Sequence, residues 1–313
     1  MSRETFFLLV EYQQSSCYNY LEIYKEIIMG KIIAIANQKG GVGKTTTAIN
    51  LTSCLAEVGK KILLVDIDPQ GNATSGVGVD KDQLENTSYE LFIGNCTLED
   101  CIVESQVSNL WVLPSNVNLS GAEIDLIGVD DREYILKNEI NSIRDEYDFI
   151  IIDCPPSLNI LTVNAMTTAD SVLVPIQCEY YALEGLSQLI HTINLVQERL
   201  NPELDIEGVV FTMYDARTNL SLEVVENVKA NLRQTVYKTI IPRNIRLAEA
   251  PSHGLPINLY DSKSIGAESY RLLAQEVIYN EMGKEFDVNS FDLSQFDKKK
   301  PQKKKGLLKR KKK

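Results

Sequence analysis

At 313 residues, 44% hydrophobic and 24% charged, the chain has the balance of a globular protein, and a single large α/β domain is the simplest arrangement for its core. Its six cysteines form no C-x-x-C pair, and with two histidines, His191 and His253, a zinc cluster is not expected; cysteines set in apolar runs read as small buried residues of a reduced, intracellular protein. The net charge of −11 hides an asymmetry: residues 298–313 carry eleven Lys/Arg and no acid, leaving 21 basic against 43 acidic residues, net −22, for the rest. A body so charged repels polyanions, so contact with nucleic acid would need a local basic patch or the tail.

Residues 1–28 hold a short apolar run, Phe6 to Val10, and no cleavage-site pattern, so they read as neither signal peptide nor membrane span. Met29-Gly30 directly precedes the first strand-like run, which makes Met29 the expected functional start and residues 1–28 an extension.

Lys31 to Asn37 is the first strand-like run, and Thr45 to Val58 is helix-like. Between them lies Lys39-Gly40-Gly41-Val42-Gly43-Lys44-Thr45-Thr46. Three glycines let the backbone turn tightly with its N–H groups inward. Lys44 adds a cation for β/γ-phosphates, Thr45 offers a hydroxyl to Mg²⁺, and the helix adds its positive end. The usual Gly-x-x-x-x-Gly-Lys-[Ser/Thr] pattern would place glycine where this chain has Gln38, and Lys39 supplies a second lysine. This form resembles the deviant phosphate loop of the ParA/MinD family of ATPases, in which the first lysine reaches the nucleotide of the partner subunit.

Further strand-like runs follow at 61–68, 110–113, 148–153, 171–176, 207–214 and 237–241. Most are continuously apolar, the pattern of parallel strands covered on both faces. Intervening segments are helical, as in Leu186, Ile190, Ile193, Val196 and Leu200 along one face. The expected fold is α/β, a doubly wound, mostly parallel sheet, with ligands beyond the carboxyl ends of its strands.

The second strand ends Val65-Asp66-Ile67-Asp68-Pro69-Gln70-Gly71-Asn72-Ala73-Thr74, putting two carboxylates on one side if strand geometry persists. The segment resembles the family's D-x-D-P-Q-G-N-A, which implies that Asp68 orients the attacking water while Asp66 helps hold the Mg²⁺ shell. The run Phe149-Ile150-Ile151-Ile152-Asp153 has the form of a Walker-B strand whose Asp153 meets Mg²⁺. Pro155-Pro156 then forces an extended exit suited to a γ-phosphate-sensing loop.

Ile241-Pro242-Arg243-Asn244 is also similar to the family, and the likeness implies that Pro242 and Asn244 line the adenine; an N-cap role for Asn244 is compatible with this. His253 reads as structural. Arg217 and Arg246 lie in loops after successive strands. Resemblance to chromosomal ParA proteins implies that both contact DNA phosphates, two copies of each per dimer; ion pairs with Asp215 or Glu249 are the plainer alternative.

The expected organisation is thus an extension (1–28), an ATPase domain (29–285) and a disordered polybasic tail (286–313). The family likeness implies an Mg²⁺-dependent ATPase, slow alone, that dimerises on ATP, binds double-stranded DNA non-specifically and is released when a ParB-type partner stimulates hydrolysis. It would be cytoplasmic and nucleoid-associated when ATP-bound. Membrane contact is not expected, since Leu307 and Leu308 alone could insert. A MinD-like membrane-positioning ATPase is the alternative, and an ATP-dependent ligase of the same superfamily a third reading.

Overall fold

The computed structural model describes residues 30–179, 182–232 and 235–287. The expected extension with Met29, Cys17 and residues 288–313 of the expected tail lie outside the described residues. Within them, eight strands form one sheet: β1 (Lys31–Ile35), β2 (Ile62–Asp66), β3 (Val103–Glu104), β4 (Leu110–Leu113), β5 (Phe149–Asp153), β6 (Ser171–Gln177), β7 (Asp205–Tyr214) and β8 (Val236–Pro242). Their order is β3-β4-β2-β5-β1-β6-β7-β8, and every pair is parallel except β3 with β4. The two-residue β3 was not expected, because Val103-Glu104 is too short to show any period.

The continuous apolar character of the strands has the expected cause. Alternate residues of β1 belong to different cores, Ile32 and Ala34 on one face of the sheet and Ile33 and Ile35 on the other, all buried. The first face is covered by α2 (Ile135–Ile143), α3 (Ile160–Thr168), α4 (Ala182–Arg199) and α5 (Asn219–Asn231). The second is covered by α1 (Lys44–Glu57) and α6 (Ile265–Glu281). Each fully buried Ile or Leu contributes about 1.5–3 kcal/mol, and a polar side chain on either face would forfeit this. In α4, Leu186, Ile193 and Val196 are buried, and Ile190 and, just past the helix, Leu200 pack against the same core, the face anticipated from their spacing.

Helices α1 and α6 are tied by a buried, two-pronged ion pair. Arg271 Nε and Nη2 donate to Glu57 at 2.9 and 3.1 Å, and Nη1 donates to the Ser262 carbonyl at 2.6 Å. Phe286 is buried and meets Tyr279 edge-on with ring centroids 5.5 Å apart, so packing runs one residue past the expected end of the domain, onto the first residue of the expected tail. Cys54, Cys101, Cys154 and Cys178 are buried. Cys96 and Cys101, which form no C-x-x-C pair, place their sulfurs 2.9 Å apart because the short helix Leu98–Cys101 folds one back on the other.

Candidate functional site

Strand register brings the acids together. Asp66 and Asp153 are directly paired at the carboxyl ends of β2 and β5, and Ile35 of β1 lies in register with Asp153 on its other side. The loop 36–43 leaves β1 at that same edge and enters α1. Gly43, at φ 89°, is the N-cap, a left-handed conformation in which a side chain would be strained. Helix α1 has no side-chain cap and no acid in its first turn, so its leading N–H donors are left for an anion.

Lys44 is buried, and its ammonium donates to the Lys39 carbonyl at 3.2 Å. Burial lowers its pKa, against the opposing pull of Asp153, Cys154 and Asp68. Asp153 is fully buried with both carboxylate oxygens lacking a hydrogen-bond partner among the described residues. Its pKa is raised well above the usual range, first by burial and then by the charge of Asp66, with the Thr45 hydroxyl and Lys44 pulling it back. A buried carboxylate left without donors beside a lysine is an arrangement that a bound cation completes.

Asp66, equally buried, is used differently. Its Oδ1 accepts from the Asp68 N–H at 3.1 Å, and its Oδ2 accepts from the Thr74 N–H and hydroxyl at 2.8 and 2.7 Å. Burial pushes its pKa up to about 6 despite those donors. Asp68 is buried, and its Oδ1 accepts from the Gln70 N–H at 2.9 Å. The described residues contain no group of three or more His, Cys, Asp or Glu able to cage a metal. Thr45 and Asp153 could therefore hold a Mg²⁺ only together with ligand oxygens or water, the usual condition of Mg²⁺ at a phosphate site.

Three supports of this loop left no trace in sequence. Thr212 of β7 donates its hydroxyl to the Val42 carbonyl at 2.8 Å, at a place where Met213 adopts φ 51° and the β7–β8 register shifts. Asn37 donates to the Pro175 carbonyl at 2.8 Å and accepts from the Lys39 N–H at 3.0 Å. Lys39 itself, the second lysine, is paired with Glu179, two residues beyond β6, beside a pocket of about 290 Å³ lined by Gln38, Lys39, Glu184, Gly185 and Gln188. Pro156 lies against the loop at Gly40, where an added Cβ would be 4.0 Å from the proline ring.

The remaining candidates lie farther along the sheet. Pro242 ends β8, and Asn244 caps the short helix Ile245–Glu249, its side chain accepting from the Arg246 N–H at 2.7 Å. His253 stacks on Tyr260 with ring centroids 4.9 Å apart, a packing role as expected. Arg217 and Arg246 are exposed, and both carry the ion pairs weighed as the plainer alternative. Arg217 grips Asp215 with two bonds of 2.8 and 2.7 Å; Arg246 meets Glu249 at 2.8 Å and Asp261 at 3.5 Å. The hydrogen bond from Arg217 holds Asp215 well below the usual carboxylate range, helped by the charge of Arg243, an exposed arginine that sequence reasoning had not singled out.

Comparison with known proteins agrees with this geometry. Residues 30–206 match a family described as an AAA domain. The sporulation initiation inhibitor protein Soj of Bacillus subtilis (strain 168) is 59% identical over 252 residues, 80% of this chain and 100% of the relative. The chromosome partitioning protein ParA of Myxococcus xanthus (strain DK1622) is 51% identical over 256 residues, 82% of this chain and 90% of the relative. Among solved structures, cobyrinic acid a,c-diamide synthase from Mycobacterium smegmatis, with bound ATP analog and magnesium, superposes with TM-score 0.73 at 36% identity, covering 82% of this chain and 100% of that one. The parallel sheet, the two-lysine phosphate loop and these matches have one reading: the chain belongs to the ParA/Soj family of partitioning ATPases.

Proposed function

We propose that this protein is an ATP-driven partition switch: an Mg²⁺-dependent ATPase that dimerises on ATP, binds double-stranded DNA without sequence preference and lets go on hydrolysis. The observation that carries the reading is the buried Asp153, with no donor within hydrogen-bond distance of either oxygen among the described residues, set beside Lys44 at the head of an uncapped helix. In this reading the N–H groups of 40–46 and the Lys44 ammonium bind the triphosphate, and Thr45 and Asp153 hold the cation. Asp66 contributes charge next to it. Bound Mg²⁺ would supply neutralisation of the developing phosphate charge.

Asp68 orients the water. Lys39 exchanges Glu179 for the phosphates of the facing subunit, so that a lone chain lacks a catalytic part and turns over slowly. Pro242 and Asn244 receive the adenine, and Arg217 and Arg246 reach DNA phosphates. A ParB-type protein stimulates turnover, and the ATP-bound form sits on the nucleoid of the cytoplasm.

The test uses the full chain. Hydrolysis is measured against protein concentration, and ATP-dependent co-sedimentation is measured with random-sequence DNA and with anionic liposomes at two salt concentrations. The expected result is turnover that rises faster than linearly and salt-sensitive DNA binding that needs ATP. Lys39→Ala should keep nucleotide binding and lose hydrolysis, and Asp68→Ala should stay on DNA. Linear turnover, or ATP-dependent liposome binding without DNA binding, overturns the proposal. The described residues include no helix long and apolar enough to cross a membrane.

A further inference from the structure

Asp68 sits in a loop whose conformation is not maintained by the loop alone. Its backbone is held at both ends: the N–H donates to Asp66, and the carbonyl accepts from the Gly71 N–H at 2.8 Å and from the Ser115 hydroxyl at 2.8 Å. Ser115 follows β4, the neighbour of β2 in the sheet. Its own N–H donates to the Thr74 hydroxyl at 2.9 Å, and that hydroxyl donates onward to Asp66 Oδ2 at 2.7 Å. Asp66, Asp68, Ser115 and Thr74 therefore close a ring of hydrogen bonds.

Asp66, Thr74 and Ser115 are each fully buried. The two strand exits are also in tight contact: at Gly71, with φ 59°, an added Cβ would lie 2.3 Å from the Ser115 carbonyl oxygen. In this ring the Thr74 hydroxyl acts once as donor and once as acceptor. Only a hydroxyl side chain of that reach serves both partners. Valine has the shape but leaves the Ser115 N–H without its acceptor and Asp66 Oδ2 with only the backbone N–H of residue 74, whereas serine restores both contacts.

We infer that Thr74 and Ser115 are positioning residues for hydrolysis, acting through Asp68 by fixing the backbone from which its carboxylate projects. The inference rests on the reading of Asp68 as the group that orients water. Both are fully buried, so they act on the reaction through Asp68. Their effect is on the placement of a reacting group, where a shift of about 1 Å costs on the order of 10²-fold in rate.

The experiment compares Thr74→Val, Thr74→Ser, Ser115→Ala, Asp68→Ala and the double variant Ser115→Ala/Asp68→Ala in the full chain. Steady-state hydrolysis, affinity for a non-hydrolysable ATP analogue and thermal unfolding are measured for each. Thr74→Val is expected to lower kcat by roughly ten- to a hundredfold, with analogue affinity changed by less than about threefold, since only the rate-determining geometry is lost. Thr74→Ser should recover most of that rate. Ser115→Ala should lower kcat by about tenfold and add nothing to Asp68→Ala, as expected when one residue works through another.

If Asp68→Ala is impaired but Thr74→Val and Ser115→Ala turn over normally, the positioning role is wrong and the role of Asp68 stands. Affinity falling in step with kcat, no rescue by serine, or an additive double variant each overturn it too, by pointing to general destabilisation. Normal turnover of Asp68→Ala overturns both readings. Should Thr74→Val fail to fold, Ser115→Ala alone and in the double variant decides the matter.

Discussion

The carboxyl ends of β1, β2 and β5 and the loops after β7 and β8 both present charged side chains, and they treat them in opposite ways. Around Lys44 the charges are buried, and one of them, Asp153, has no donor within hydrogen-bond distance among the described residues. Around Arg217 and Arg246 the charges are exposed, and each already has a carboxylate. Burial gives an uncompleted carboxylate a large free energy to recover from a ligand. Solvent screening makes an exposed pair easy to exchange for another anion. The first region is thus built to hold a ligand tightly and the second to trade partners, which suits a site of chemistry beside a surface of reversible contact.

Breaking the buried side should have the largest consequences. Lys44→Ala removes the cation that faces Asp153 and is expected to lower kcat by at least about 10²–10³-fold, with fluorescent ATP-analogue binding lost; unimpaired turnover would end the contrast drawn here. Next comes a buried pair away from the site. Arg271→Met leaves Glu57 uncompensated between α1 and α6 and should cost about 3–5 kcal/mol in urea unfolding. A much smaller loss would mean that the interior of this protein tolerates lone charge, and the reading of Asp153 would weaken with it.

The exposed side predicts smaller effects. Arg217→Ala and Arg246→Ala should leave the thermal midpoint unchanged while each lowers the salt slope of DNA binding by about one for every phosphate contact removed. Asp215→Asn should sharpen the comparison, because it frees Arg217 and is expected to strengthen DNA binding by a few fold. The pairing is also insensitive to pH over the working range. The folded pKa of Asp215 is depressed, so its contribution is present above the unfolded value and lost only as pH falls through the lower folded one. DNA binding that strengthened between pH 8 and pH 5 because this pair had broken would contradict that.

How far each region was legible in the sequence follows from the same contrast. Loop 39–46, Asp66, Asp68 and Asp153 were readable because glycine placement and strand-terminal acids are local patterns, and β-strand register then carries Asp66 and Asp153 to one place. The pairing of Lys39 with Glu179 and the bond from Thr212 to Val42 were not, since these partners are 140 and 170 residues apart. The ring through Ser115 was hidden for a similar reason: a serine after a strand has no distinguishing spacing. The ion pairs of Arg217 and Arg246 were foreseeable as an alternative because both partners are within three residues.

By itself the amino-acid order determined which segments are strands, which faces are apolar and which loop can cradle phosphate, because these depend on side-chain period and on backbone freedom within a few residues. Only the tertiary structure decided which buried carboxylate is satisfied and which is not. Asp66 and Asp153 look alike as strand-ending acids, yet Thr74 folds back on one, while among the described residues no donor comes within hydrogen-bond distance of the other. A hydrogen bond is settled by distance and direction in three dimensions, and the chain acquires those only when the sheet has assembled.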